Sequence, residues 1–132
     1  MPVRVLIVDD DKLLIAGMKR LLAQFDVTGA LSTEQALELV RKQPFEAVIS
    51  DFRVPTSNGV GLLQKVAEAC PAARRYLMSG DAPERFADHV ASTLVHRAFT
   101  KPIDVSALRT ELASLARPAE SEKREKNEKN EN

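Results

Sequence analysis

Three consecutive carboxylates, Asp9, Asp10 and Asp11, follow directly on the apolar run VRVLIV at 3–8. A second apolar run, FEAVISD, ends in a lone carboxylate, Asp51. Two further runs end in a hydroxyl, Ser79, and an ammonium, Lys101. If the first two ends meet, the carboxylates repel: two charges about 5 Å apart at an effective dielectric near 20 cost roughly 3 kcal/mol. A divalent cation offsets this, and an all-oxygen donor set that leaves room for water suits Mg²⁺. Lys101 would supply a second positive charge. A carboxylate beside such a cation, facing a hydroxyl and an ammonium, is suited to phosphoryl transfer with formation of an acyl phosphate. Asp51 is the candidate nucleophile because it stands alone on its strand; Asp9 and Asp10 are the candidate metal-holding pair. An acidic surface patch without metal would account for Asp9–Asp11 alone, but not for several strand ends that agree.

These groups meet only if the chain folds to bring them to one edge. Five short apolar runs, at 3–8, 26–31, 45–51, 74–80 and 97–101, alternate with helical patterns at 11–25, 32–43, 60–70, 83–94 and 104–117. In the first helix Leu14, Met18, Leu21, Leu22 and Phe25 fall at helical spacing. Ser32 with Gln35 predicts a capping box, Pro44 and Pro71 predict helix ends, and Asp104 predicts an N-cap. Pro83 suits the first turn of its helix. Strand–helix alternation repeated five times predicts an α/β fold, a single doubly wound (βα)5 domain with a parallel sheet. In such sheets the site lies beyond the carboxyl ends of the strands, where all the groups above would gather.

The totals agree with one globular domain. The chain has 132 residues, 44% of them apolar and 29% charged, with a formal net charge of zero. That balance argues against direct nucleic-acid binding. No run approaches the roughly 20 apolar residues of a membrane span, and the N-terminus has no signal-peptide pattern, so the expected location is cytoplasmic. A single cysteine, Cys70, forbids an internal disulfide and reads as an incidental thiol. His89 and His96 have no metal-ligand spacing and read as surface residues. Residues 118–132, PAESEKREKNEKNEN, are almost devoid of apolar side chains and predict a charged, disordered tail after a domain at 1–117.

The ordered set VLIVDDD, VISDFRVPTSNG, LMSGD and FTKP resembles the receiver domain of bacterial response regulators, over about residues 3–117. The resemblance implies a flavodoxin-like sheet of strand order 2-1-3-4-5. It implies that Asp51 accepts a phosphoryl group from a sensor histidine kinase or phosphotransfer protein. Asp10 and Asp51 would coordinate Mg²⁺, Asp9 would assist through water, and the backbone carbonyl of Arg53 would complete the protein ligands. Lys101 would pair with the phosphoryl group, and Ser79 would donate its hydroxyl to it near the Gly80 amide. The Lys101–Pro102 bond is expected cis, and Gly59 is expected to serve a turn with positive φ. Asp11 is read as the first residue of helix one, where negative charge is favoured. The resemblance also implies a downstream protein target docking on helix four, strand five and helix five, with Arg85, His89, Ser92, Ala98 and Arg109 as candidate contacts.

The sequence departs from that family in one place. An aromatic residue is usual three positions before the lysine; here that residue is Ala98, and alternation points Phe99 to the opposite face. Coupling is therefore expected to use other groups. Arg53 and Asp81 are expected to pair across the site and hinder hydrolysis. Two other functions fit parts of the pattern. A phosphohydrolase of the haloacid-dehalogenase type would use Asp9 as nucleophile and Asp11 as acid/base, leaving Asp51 idle. A binding module acting without phosphorylation would use the same fold.

Overall fold

The computed structural model describes residues 2–54, 57–81 and 83–116. Five strands, β1 (Arg4–Val8), β2 (Asp26–Ala30), β3 (Ala47–Asp51), β4 (Arg74–Ser79) and β5 (Arg97–Thr100), form one sheet of order 2-1-3-4-5. Every pairing in it is parallel. A two-residue antiparallel ribbon, Arg53–Val54 with Ser57–Asn58, follows β3. The helices are α1 (Lys12–Leu21), α2 (Thr33–Lys42), α3 (Gly59–Ala69), α4 (Ala87–Ala91) and α5 (Val105–Ala113). The fold class and strand order are those expected.

The continuous apolar strands are explained by burial on both faces. Leu6, Val8, Val48 and Leu77 face one layer, with Leu37, Val40, Leu62, Leu63 and Val66 of α2 and α3. Val5, Ile7, Ile49, Tyr76 and Met78 face the other, with Ile15, Met18, Leu108 and Leu112 of α1 and α5. Each fully buried aliphatic side chain contributes about 1.5–3 kcal/mol, so both faces are needed to hold the strands in register. Tyr76 is fully buried and donates its hydroxyl to Glu111 Oε2 at 2.8 Å; burial, chiefly, pushes its ionisation up to about 12.

The helix ends follow local chemistry. Ser32 Oγ accepts from the Gln35 amide, and Gln35 Oε1 reaches back to the Leu31 amide, so the predicted capping box closes one residue further out. Asp104 caps α5 through the Ala107 amide. In α1 the buried stripe is Ile15 and Met18, continued by Leu22 at the cap, while Leu21, expected inside, is 47% exposed. The helix is also shorter than the expected 11–25. α5 closes at Ala113, before the expected 117.

The fourth helix differs most. A single helix over 83–94 was expected; the chain instead makes a 3-10 turn at Pro83–Phe86 and a short α4 that buries no side chain. Arg75 explains the early end. Its guanidinium is buried with no carboxylate partner among the described residues and donates to the carbonyls of Leu94, Thr93, Ala73 and Pro71. Thr93 takes a positive φ of 64°, which turns the chain out of the helix. His96 is drawn in as well: its Nδ1 accepts the Arg75 amide at 2.9 Å, and its amide donates to the Arg75 carbonyl. Burial and the adjacent Arg74 and Arg75 charges lower its pKa, so it is a structural acceptor and not the surface residue expected.

Gly59 also departs from expectation. No described glycine has positive φ. Gly59 opens α3, and a Cβ there would lie 2.5 Å from the Asp51 carbonyl oxygen and 3.0 Å from Phe52 Cα. Close approach of α3 to the end of β3, and not a turn, explains the glycine. Gly59→Ala should therefore lower stability in urea unfolding by about 1–3 kcal/mol. Gly17→Ala, where a Cβ meets nothing within 4 Å, should raise it by about 0.5–1 kcal/mol.

Candidate functional site

The sheet brings the expected groups to one edge. Asp51 is the last residue of β3 and Ser79 the last of β4, while Asp9 and Lys101 stand next after β1 and β5. Backbone bonds extend the ladder past the strand ends: Asp9 N to Ala30 O, Phe52 N to Met78 O, and Lys101 N to Ser79 O. The Lys101–Pro102 peptide is cis, as expected.

Asp9, Asp10 and Asp51 each offer a carboxylate oxygen, and these lie within 4.8 Å of one another. Asp9 is 1% exposed and Asp51 side chain 13%, whereas Asp10 is open to solvent. Lys101 Nζ sits 2.9 Å from Asp9 Oδ2 and 3.3 Å from Asp51 Oδ1. Asp9 Oδ1 accepts the Asp11 amide at 2.9 Å, so both oxygens of Asp9 already have protein donors. Asp51 receives a backbone hydrogen bond from Arg53. A cluster of hard, anionic oxygens with one oxygen set exposed to water fits a divalent cation of the Mg²⁺ type.

The electrostatics carry the strain of this arrangement. Burial raises the Asp51 pKa, and the neighbouring Asp9 charge adds to it; Lys101 and the Arg53 amide oppose them without cancelling them. Burial works against the Lys101 ammonium, but its hydrogen bond to Asp9 and the charges of Asp9 and Asp51 outweigh it and raise its pKa. The two shifts look inconsistent, since Lys101 should lower Asp51. They are reconciled by geometry: Lys101 leans on Asp9 at the shorter distance, leaving Asp51 the less compensated carboxylate.

Asp11 is the N-cap of α1, not its first residue, and its carboxylate accepts the Leu13 and Leu14 amides. Asp81 does not pair with Arg53. Its partner is Arg85, four residues on, whose guanidinium lies 5.0 Å from the Phe52 ring centre and 5.8 Å from that of Phe86. The i,i+4 spacing of acid and base was legible in the sequence, but Asp81 was expected to pair with Arg53 across the site. Ser79 Oγ accepts the Asp81 amide at 3.0 Å and lies 3.5 Å from Asp81 Oδ2. Ala98 packs, half-buried, against the layer that holds Phe52 and Phe86, while Phe99 is on the opposite face, 5.9 Å from Tyr76. Beside Ala98 lies a groove of about 620 Å³ lined by Glu84, Ala87, Val90, Ala91, His96 and Arg97. Of the expected docking contacts, Arg109 turns away and donates to the Leu21 carbonyl of α1.

A doubly wound parallel sheet with an acidic cluster and a lysine at the strand ends defines a class of α/β domain whose site lies at that edge. The chain belongs to the response regulator receiver domain family, whose model matches residues 5–113. It is 29% identical over 110 residues to the transcriptional regulatory protein DegU of Brevibacillus brevis, covering 80% of this chain and 47% of that protein. It is 39% identical over 67 residues to the probable chemotaxis protein CheY of Rhizobium etli, covering 48% of this chain and 52% of that one. Among solved structures it is similar to the adenylate cyclase from Rhodopirellula baltica, with a TM-score of 0.83, 28% identity, and coverage of 98% and 99%. It is also similar to the signal receiver domain of an HD domain-containing protein from Pseudomonas fluorescens Pf-5, with a TM-score of 0.79, 25% identity, and 93% of each chain covered. The chain spans about half the length of these two curated relatives. Receiver domains act in two-component signalling, interact with histidine kinases or phosphotransfer proteins, and generally bind Mg²⁺ at an acidic pocket. No described helix is long and apolar enough to cross a membrane.

The raised Asp51 pKa has a stability consequence. A carboxyl raised in the folded state binds more protons there than in the unfolded chain, so its contribution falls as pH rises from the ordinary carboxylate range through the raised value. With chelator at pH 7, Asp51→Asn should melt higher than the parent chain, and the difference should vanish at pH 3.

Proposed function

We propose that the chain is a phosphorylation-dependent signalling receiver in which Asp51 accepts a phosphoryl group from a phosphohistidine of a sensor kinase or phosphotransfer protein. The observation that carries this reading is the convergence of Asp9, Asp10 and Asp51 within 4.8 Å, with Lys101 3.3 Å from Asp51. Asp10, Asp51 and the Arg53 carbonyl would hold Mg²⁺, with Asp9 acting through water because both its oxygens are engaged. The cation supplies positive charge that offsets the cluster and the incoming phosphoryl oxygens.

In the transfer, an ionised Asp51 oxygen attacks phosphorus, the bond from phosphorus to the donor imidazole nitrogen breaks, and the imidazole leaves with the electron pair and takes up a proton. Lys101 is within reach of Asp51 and can neutralise a phosphoryl oxygen. Ser79, at the end of the neighbouring strand, can donate its hydroxyl to another. The acyl phosphate carries about −1.5 to −2 where the carboxylate carried −1, so the cluster gains about −0.5 to −1, which a cation would offset. The groove beside Ala98, lined from α4 and β5, supports the α4 and β5 part of a docking surface for a downstream protein target; the part of α5, and no direct nucleic-acid or membrane contact, are expected from the sequence. The same reading keeps the cytoplasmic location expected from the sequence.

The phosphohydrolase plan has less support. Asp11 caps α1 with its carboxylate, and Asp9 is 1% exposed with a donor on each oxygen, whereas the Asp51 side chain is 13% exposed and is the more accessible carboxylate. Acetyl phosphate with Mg²⁺ should add the mass of one phosphoryl group to Asp51. Asp51→Ala should take up none, and Lys101→Ala should slow uptake by about 10²-fold or more. Label on Asp9, or none on any aspartate, would overturn the reading.

A further inference from the structure

Resting on the phosphoryl-acceptor reading of Asp51, we propose that Asp81 and Arg85 are positioning residues. They hold the Ser79 hydroxyl in the resting chain and pass its release to the turn that precedes α4. The contacts form a chain that leads from the site to the turn before α4. Ser79 Oγ accepts the Asp81 amide at 3.0 Å, and the nearest acceptor for its own proton among the described residues is Asp81 Oδ2 at 3.5 Å. Asp81 is held in turn by the Arg85 guanidinium. Arg85 lies over Phe52, which follows Asp51 directly, and over Phe86, the last residue of the 3-10 turn. The two rings are themselves 5.1 Å apart.

A hydroxyl 3.5 Å from its acceptor is weakly held, and a phosphoryl oxygen on Asp51 is the stronger competitor because its charge shortens and strengthens the bond. Once Ser79 turns to that oxygen, Asp81 faces a second anion and Arg85 has two anionic partners. Its position over Phe52 and Phe86 then changes, and with it the turn Pro83–Phe86. Phe86 anchors the turn in the core, so its displacement passes on to α4, which buries no side chain of its own, and the groove beside Ala98 and Ala87 gives that helix space. Arg85 and Asp81 are substantially exposed, so the pair adds little to stability. Its role is to orient Ser79 and to couple, in a chain where Ala98 replaces a bulky ring.

The test uses the full chain, ¹⁵N-labelled, titrated with Mg²⁺ and beryllofluoride as a phosphoryl mimic. In the parent chain the Arg85 Nε–H and the amides of Phe52 and Phe86–Ala91 should shift on binding. Asp81→Asn, nearly isosteric, should bind the mimic about fivefold more tightly, the equivalent of one weak hydrogen bond released, and should lose most of the α4 shifts. Arg85→Gln should change affinity in the opposite direction, because Asp81 then faces the mimic unneutralised, and should also uncouple α4. Asp81→Glu should restore the parent pattern. A parent chain that binds no mimic overturns both this inference and the acceptor reading. A parent chain that binds, with both variants unchanged in affinity and in α4 shifts, overturns only the positioning role.

Discussion

The repulsion among Asp9, Asp10 and Asp51 is the constraint around which the rest is arranged. Their oxygens are held together by the parallel register of β1 and β3, which is itself fixed by two apolar layers. Lys101 leans on Asp9 and only partly relieves Asp51, whose pKa stays raised. The fold thus maintains an electrostatic deficit that a divalent cation and a bound anion can relieve together. Binding such groups only to the folded state is itself a stabilising term of about 2.7 kcal/mol at a hundredfold excess over the dissociation constant.

The other strand-end contacts follow from this constraint. Gly59 lets α3 approach the end of β3 closely enough to fix where Asp51 sits. The Lys101 amide is tied to the Ser79 carbonyl, so the backbones that carry the hydroxyl and the ammonium stay side by side. On the far side the Arg75 guanidinium and His96 Nδ1 bind the chain after α4 to β4. α4 is therefore anchored at its exit, while at its entrance Arg85 and Asp81 connect it to the site. A short helix held in this way can respond to the site by small displacements of its first turn.

Much of this was legible in the residues. Strand ends and their polar termini could be read because a fully buried strand is a continuous apolar run, and a break in it at Asp9, Asp51 or Lys101 is conspicuous. Caps at Ser32 and Asp104 follow from short-range chemistry. What could not be read depends on contacts between residues far apart in the chain. Tyr76 meets Glu111, and Arg75 meets the carbonyls of Thr93 and Leu94, without any spacing signal. That second contact shortened the helix expected at 83–94. Gly59 was misread as a turn residue because close backbone approach leaves no mark in one sequence. Asp81 was assigned to Arg53 across the site when a nearer base, Arg85, stood one helical turn on.

The central claim is that the carboxylates at the ends of β1 and β3 form a divalent-cation site. Paramagnetic line broadening by substoichiometric Mn²⁺, competed away by Mg²⁺, tests it most directly. Broadening should be confined to the amides around Asp9–Asp11 and Asp51–Arg53 and should reverse as Mg²⁺ is added. Broadening spread over other acidic surfaces, or none at Asp51, would contradict the account.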